Sequence, residues 1–371
     1  MITILYSGIL AFCVSVCVMP IVAKTSRRLG AVSETGGRHV GEVPIGRLGG
    51  VGVLLGCLVA LLLQAWINIS FRLALLEYKI QAFGVLIGLT IVAIVGFLDD
   101  VRRLSATVKF SFQIISALVL YVCGVRISAI DLPLLEPFEL GLLGLPITIL
   151  WVVGIINSIN LIDGLDGLAG GVLLFASVVN LVVAVVSNGV ITAVLMGSVV
   201  GAVLGFLLFN WYPAKIYLGD GGAYSLGFLI AVSGLISPMH KVSTSIAITV
   251  PVLAAGLPII DTILVMIRRI ATRRGVFSPD RGHLHHFLLD SGISHQRVVV
   301  GLYLVCCIFC SVALTLVLHR NRNLGWLLIG LSFIGAIVWG LGVKNQLRRA
   351  LSQFIERFSK QKKDLDGVGE K

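Results

Sequence analysis

Hydrophobic residues in this chain come in long unbroken runs, separated by short polar stretches rich in glycine, arginine and aspartate. The runs lack the alternation of half-buried strands and the narrow apolar stripe of a soluble amphipathic helix. Many approach or exceed the ~20 residues that a helix needs to cross a bilayer. Lipid offers the backbone no hydrogen-bond partners, so spanning segments are helices or closed barrels, and barrel-type alternation is absent. The pattern predicts eleven helices, at Met1–Val22 and near 48–69, 80–98, 108–123, 143–160, 168–187, 190–209, 222–238, 244–267, 298–319 and 324–343. The expected fold class is all-α, a polytopic integral membrane protein of about 11 transmembrane helices.

Charge orients this bundle. Lys24, Arg27 and Arg28 follow the first run, whereas a secretory signal carries its positive charges before it. The first run therefore reads as an uncleaved helix with its N-terminus outside, and eleven spans leave the C-terminus cytoplasmic. Of the 29 Lys and Arg, 23 then fall in segments assigned to the cytoplasm and 6 outside, as the positive-inside bias demands. Residues 1–343 form the transmembrane domain and 344–371 a basic cytoplasmic tail, suited to lie near anionic lipid.

Composition agrees. The chain is 57% hydrophobic and 13% charged, about half the charged fraction usual for a soluble domain. Its mean hydropathy is +1.02. The net charge of +11 sorts into alternate loops and forms no nucleic-acid reading face. Cysteines 13, 17, 57, 123, 306, 307 and 310 lie in or beside apolar runs. Cys307-x-x-Cys310 lacks basic neighbours, so apolar packing is favoured over redox or zinc chemistry. Gly52/Gly56, Gly84/Gly88 and Gly201/Gly205 are small-xxx-small pairs that let membrane helices approach closely.

Candidate chemistry gathers at the cytoplasmic ends. Asp99, Asp100, Asp163, Asp166, Asp220, Asp280 and Asp290 all sort there, while Asp261 alone falls within a predicted span, where Arg268 and Arg269 would pair with it or draw it toward the interface. Five stretches stand out. Gly36-Gly37-Arg38-His39 through Arg47-Leu48-Gly49-Gly50 reads as a basic topogenic loop or a phosphate contact. Asp99-Asp100, with Arg102, Arg103 and Lys109, reads as a solvated helix end or as one site acid supported by its neighbour. Asn157, Asn160, Asp163 and Asp166 recur every third residue where glycines weaken a helix, as at a polar membrane rim. In Asn210 through Gly222, Gly-Asp-Gly-Gly is a plain turn, or brings backbone to a phosphate while Asp220 meets a hard cation. Arg281, His283, His285 and His286 suit an anion site, with a transition metal or a surface cluster as alternatives.

Their coincidence on one face carries the weight. Mg²⁺ takes one or two carboxylates plus substrate phosphate oxygens, which fits scattered aspartates. The reading is a membrane phosphotransferase with a soluble phosphorylated donor and a lipid acceptor. A transporter would place polar groups in broken helices near mid-membrane, and a scaffold would show no one-sided clustering.

Taken together, Asp99-Asp100, Asn157-x-x-Asn160-x-x-Asp163-Gly-Leu-Asp166-Gly, Gly219-Asp220-Gly221 and Pro279-Asp280-Arg281-x-His283-x-His285-His286 resemble the polyprenyl-phosphate N-acetylhexosamine-1-phosphate transferases. That family includes the enzymes that start O-antigen, enterobacterial common antigen and teichoic acid linkage synthesis; the muramoyl-pentapeptide phosphotransferase of peptidoglycan synthesis is a more distant relative. The resemblance runs from about Lys24 to Arg297. It implies transfer of a sugar 1-phosphate from a UDP-N-acetylhexosamine to undecaprenyl phosphate with release of UMP, at the cytoplasmic face of the bacterial inner membrane. GlcNAc is the default sugar, with GalNAc, FucNAc and QuiNAc open. Mg²⁺ is the implied cofactor, with Mn²⁺ as a substitute, and a homodimer is left open.

The resemblance also implies roles. Asp220 and Asn160 would lie at the metal, and Asp99, Asp100, Lys109 and His283 at the reacting phosphates. Asp163, Asp166, Asn210 and Tyr217 would surround the nucleotide, and Arg47, Arg281, His285 and His286 the phosphates and sugar. Two departures stand in the first loop: Gly46 replaces a proline, and Glu34-Thr35-Gly36-Gly37 replaces an acidic, proline-containing turn. Both are expected to loosen that loop.

Overall fold

The computed structural model describes residues 2–33, 44–130, 138–236, 252–271, 284–317 and 322–342. Its helices are α1 (Ile2–Arg28), α2 (Gly49–Ile67), α3 (Ile69–Glu77), α4 (Lys79–Arg102), α5 (Ala106–Val122), α6 (Gly144–Ile162), α7 (Leu168–Val186), α8 (Val190–Asn210), α9 (Gly219–Ser233), α10 (Gly256–Ala271), α11 (Leu284–Asp290), α12 (His295–Val317) and α13 (Arg322–Gly342). Seven of the described helices are long and apolar enough to cross a membrane: α1, α2, α4, α6, α7, α8 and α12. Three shorter apolar helices lie at Ala106–Val122, Gly256–Ile267 and Ile329–Gly342. The protein is a polytopic helical bundle. Most predicted helices appear within a few residues of their expected bounds. The first part of the predicted helix 244–267 and the tail 344–371 lie outside the described residues.

One connection differs from expectation. The segment after α2, expected as a plain loop, holds α3. Asn68 starts it: its side chain accepts the Phe71 N–H at 2.9 Å and donates to Thr3 Oγ1 at 2.8 Å. A cap residue that also ties down α1 starts a helix in the stretch left between two predicted spans.

The centre of the bundle is α9, which packs on α2, α4, α6 and α7. Every residue of α9 except Asp220 is buried. A helix that is apolar on all sides belongs inside a bundle. Its close packing depends on paired glycines. A Cβ on Gly96 of α4 would lie 2.4 Å from Gly221 Cα, and one on Gly50 of α2 would lie 2.1 Å from Gly222 Cα. The three glycine pairs noted in the sequence are likewise contact points; Gly201 meets the Gly8 backbone and Gly88 meets Phe228.

The chain runs back and forth, so the C-terminal ends of α4, α6 and α8 lie with the N-terminal ends of α2, α5, α7 and α9. At the opposite end a short antiparallel hairpin pairs Ala129 with Glu139 and Ile130 with Phe138. The described candidate residues occupy the first of these ends.

Candidate functional site

The site is built where α9 begins. Gly219 has a φ of +77°, and a Cβ there would lie 1.8 Å from the Arg47 carbonyl oxygen, so only glycine fits. The neighbouring strand-like contact is continuous: Tyr217 N–H donates to Gly46 O, Gly49 N–H to Tyr217 O and Gly50 N–H to Leu218 O, at 2.8–2.9 Å. These bonds hold Arg47 against Asp220. The expected loosening at Gly46 is not found. Gly46 is bonded on both sides, and a Cβ would come within 2.7 Å of Ser26, whose hydroxyl accepts the Arg47 N–H at 3.0 Å. Glu34 through Gly37 lie outside the described residues.

The glycines of Gly-Asp-Gly-Gly also take a different role from the phosphate cradle considered above. Gly219 clears the Arg47 backbone, Gly221 clears Gly96 and Gly222 clears Gly50. They let three segments converge on Asp220.

The two neighbouring acids divide as a helix rotation of about 100° per residue requires. Asp100 is buried and supports: its Oδ1 accepts the Asp220 N–H and its Oδ2 the Gly221 N–H, each at 2.9 Å. It thereby satisfies two of the unpaired donors at the start of α9. The Arg47 Nε stands 3.8 Å from Asp100 Oδ1. Asp99, also buried, forms an ion pair through Oδ2 with Lys109 of α5. Its Oδ1 accepts the Leu104 N–H at 2.8 Å. The Tyr224 hydroxyl donates to Asp99 Oδ2 at 3.2 Å.

Asp220 carries the convergence. Asn160 Nδ2 of α6 donates to its Oδ1 at 2.6 Å, and an Arg47 guanidinium nitrogen lies 3.4 Å from its Oδ2. Its side chain stays 17% exposed at the end of an otherwise buried helix. Behind Asn160, Asn157 Nδ2 donates to Gln113 Oε1 at 2.6 Å. Gln113 lies one helical turn from Lys109, so α5 and α6 are tied together directly behind Lys109 and Asn160.

Beyond α6 the chain turns back on itself. Asp163 ends that helix, and its carboxyl is pushed up to about 7, by burial first and by the negative Asp220 second, with Arg47 opposing. A cavity of about 250 Å³ is lined by Arg47, Asp163, Gly164, Leu165, Asp166, Tyr217 and Gly219. Asp166 Oδ2 accepts the Ala214 N–H at 2.9 Å, fixing the turn after α8. Asn210 is turned to the same end: its Oδ1 accepts the Gly167 N–H and its Nδ2 donates to Ile216 O. It shapes the cavity wall through those two bonds.

His285 is buried, and its ring fills the space beside Gly164, where a Cβ would lie 2.4 Å from Nε2. It therefore packs against the turn that lines the cavity. Arg281 and His283, and the side chain of His286, lie outside the described residues. Asp261 accepts the Leu284 N–H at 2.8 Å and so anchors the start of the His285 helix. The side chains of Arg268 and Arg269, with which Asp261 was expected to pair, lie outside the described residues.

Sequence reading missed Tyr224, Gln113 and His295, whose Nε2 lies 3.3 Å from Asp166 O and whose ring stacks on Tyr212. The first two had a findable signal. Each lies four residues after a singled-out residue, Asp220 or Lys109, on the same helix face. Cys13 and Cys17 are exposed on the surface of α1, and Cys123 and Cys307 are half-buried. Cys57, Cys306 and Cys310 are buried, and all seven are free thiols.

The family model described as glycosyl transferase family 4 matches residues 82–238, a span that includes Asp99 through Tyr224. The probable undecaprenyl-phosphate N-acetylglucosaminyl 1-phosphate transferase of Bacillus subtilis (strain 168) is 34% identical over 366 residues, covering 97% of this chain and 98% of that protein. The decaprenyl-phosphate N-acetylglucosaminephosphotransferase of Mycobacterium leprae (strain TN) is 32% identical, over 87% of this chain and 86% of its own length. The phospho-N-acetylmuramoyl-pentapeptide-transferase of Halalkalibacterium halodurans is 31% identical, over 84% of this chain and 97% of its own length.

Proposed function

This chain belongs to glycosyl transferase family 4, the polyprenyl-phosphate sugar-1-phosphate transferases, and from that premise we propose its reaction. It transfers N-acetylhexosamine 1-phosphate, GlcNAc-1-phosphate by default, from a UDP-sugar to undecaprenyl phosphate and releases UMP. The step opens cell-surface polysaccharide synthesis at the cytoplasmic face of the bacterial inner membrane. One observation carries this reading. Asp220, flanked by Asn160 and Arg47, stands next to the Asp99–Lys109 pair at one end of an apolar helical bundle. That arrangement supports a carboxylate open to a cation beside a fixed ammonium, at the end of the bundle where the proposal brings lipid phosphate and soluble nucleotide together.

The residues suit Mg²⁺, with Mn²⁺ as a substitute. Asp220 and Asn160 offer hard oxygen donors, and Asp220 is the one residue of α9 left open. No group of three or more His, Cys, Asp or Glu that could hold a metal occurs among the described residues, so a fully protein-ligated cage is not what they provide. Mg²⁺ needs only one or two carboxylates when phosphate oxygens complete its shell. When bound, it would neutralise charge on the pyrophosphate and the leaving UMP.

The chemistry exchanges one phosphoanhydride for another. An oxygen of the lipid phosphate attacks the sugar-bearing phosphorus in line, and the bond from that phosphorus to the UMP oxygen breaks. A phosphate monoester is largely dianionic at neutral pH, so the attack needs little help from a base. Lys109 holds the acceptor phosphate, and Asp99 orients Lys109. Arg47 contacts the donor phosphates, while Asp163, Asp166 and Tyr217 line the nucleotide side. Direct attack is favoured over a phosphorylated aspartate because both oxygens of Asp99 and both of Asp100 already accept hydrogen bonds or an ion pair. Trapping a sugar-phosphate adduct on either aspartate, with no lipid present, would overturn direct attack.

Purified protein assayed with a panel of UDP-sugars tests the reaction. UMP release that requires both undecaprenyl phosphate and Mg²⁺ is the expected result. Turnover only with the UDP-muramoyl-pentapeptide would move the assignment to the peptidoglycan branch, and solute uptake into liposomes without chemistry would make it a transporter. Asp220→Asn is expected to lower Mg²⁺-dependent turnover by about 100-fold or more. Near-normal activity of that variant would remove Asp220 from the metal.

A further inference from the structure

We infer that Tyr224 is a positioning residue of the transfer reaction, a role that rests on the function proposed above. Tyr224 is among the largest fully buried side chains and lies deep in α9. Phenylalanine would fill the same apolar volume. A buried phenolic hydroxyl needs a partner, and here that partner is the Asp99 carboxylate, 3.2 Å away.

The same Asp99 oxygen holds Lys109, and the other accepts the Leu104 N–H. Asp99 is therefore pinned from three directions: by α9 through Tyr224, by α5 through Lys109 and by the turn between α4 and α5 through Leu104. A lysine side chain loses rotamer entropy when held in one place, so a fixed anion is needed to keep its ammonium aimed. Tyr224 fixes that anion.

Its position on α9 adds a second consequence. Tyr224 lies four residues after Asp220, on the same helix face. One rigid helix thus carries both the carboxylate on the donor side and the hydroxyl that sets the acceptor-side ion pair.

The test is Tyr224→Phe, which removes the hydroxyl and keeps the ring. The expected result is a fall in kcat of about tenfold, with KM for the UDP-sugar unchanged within about twofold, because nothing on the nucleotide side is touched. In a Lys109→Ala background the same change should have no further effect, since Tyr224 acts through Lys109. Tyr224→Met, which also lacks the hydroxyl, serves as the second variant if phenylalanine lowers the melting midpoint. Full kcat in an active enzyme lacking the hydroxyl overturns the role, as does an equal proportional loss with and without Lys109. A wild type that releases no UMP overturns the transfer reaction itself, and the role with it.

Discussion

Asp163 shows how one residue's surroundings set its protonation. Its carboxyl stands at about 7 in the folded protein, against an ordinary value of 3.8. Between those pH values the folded state keeps a proton that the unfolded chain has released. Stability from this group is therefore greatest at the acid end and declines as pH rises towards 7. Asp163→Asn removes the ionisation. Thermal melts in divalent-free buffer should show variant and wild type alike near pH 4, with the variant higher by about 2 °C or more near pH 8. An equal offset at both pH values would place the raised carboxyl elsewhere. Asp99 and Asp100 make a related point, since adjacent residues with identical side chains do different work. Asp100 receives the start of α9, whereas Asp99 holds Lys109.

At the scale of elements, the contact between α4 and α9 decides the site. Gly96 and Gly221 meet backbone to backbone, so neither helix has a flexible side chain that could yield. Gly96→Ala should push the helices apart at a cost of about 1–3 kcal/mol, typical of overpacking. Because Asp99 and Asp100 lie within the next turn, turnover should fall along with the melting midpoint. Gly154→Ala in α6 is the control: a Cβ there meets nothing within 4 Å, so it should leave both unchanged or raise stability slightly. Loss in both variants alike would mean that helix glycines matter here for a reason other than close approach.

For the whole molecule, the arrangement predicts a sidedness. The candidate site and the Ala129–Glu139 hairpin lie at opposite ends of the bundle, and Ser105 and Ser128 are exposed residues at the respective ends. In a cysteine-free background, Ser105→Cys should react with an impermeant maleimide only from the cytoplasmic side and Ser128→Cys only from outside. Reaction of both from one side would contradict the proposed orientation.

Much of this was already legible in the chain. Long apolar runs require helices because lipid cannot satisfy a bare backbone, and the asymmetry of Lys and Arg gives them an expected direction. Asp99, Asp100, Asn160 and Asp220 stood out because such groups are costly inside a bilayer and these gather together at one end of the predicted spans. Their division of labour was not legible. Whether a glycine beside Asp220 cradles a phosphate or admits another helix depends on what packs against it, and packing is set by residues over a hundred positions away. The bond from Asp261 to Leu284 and that from Tyr224 to Asp99 likewise join distant segments. Periodicity and residue cost are local properties that sequence carries by itself. Which polar group meets which is settled only when helices dock, because small residues let backbones approach closely enough for short side chains to reach across.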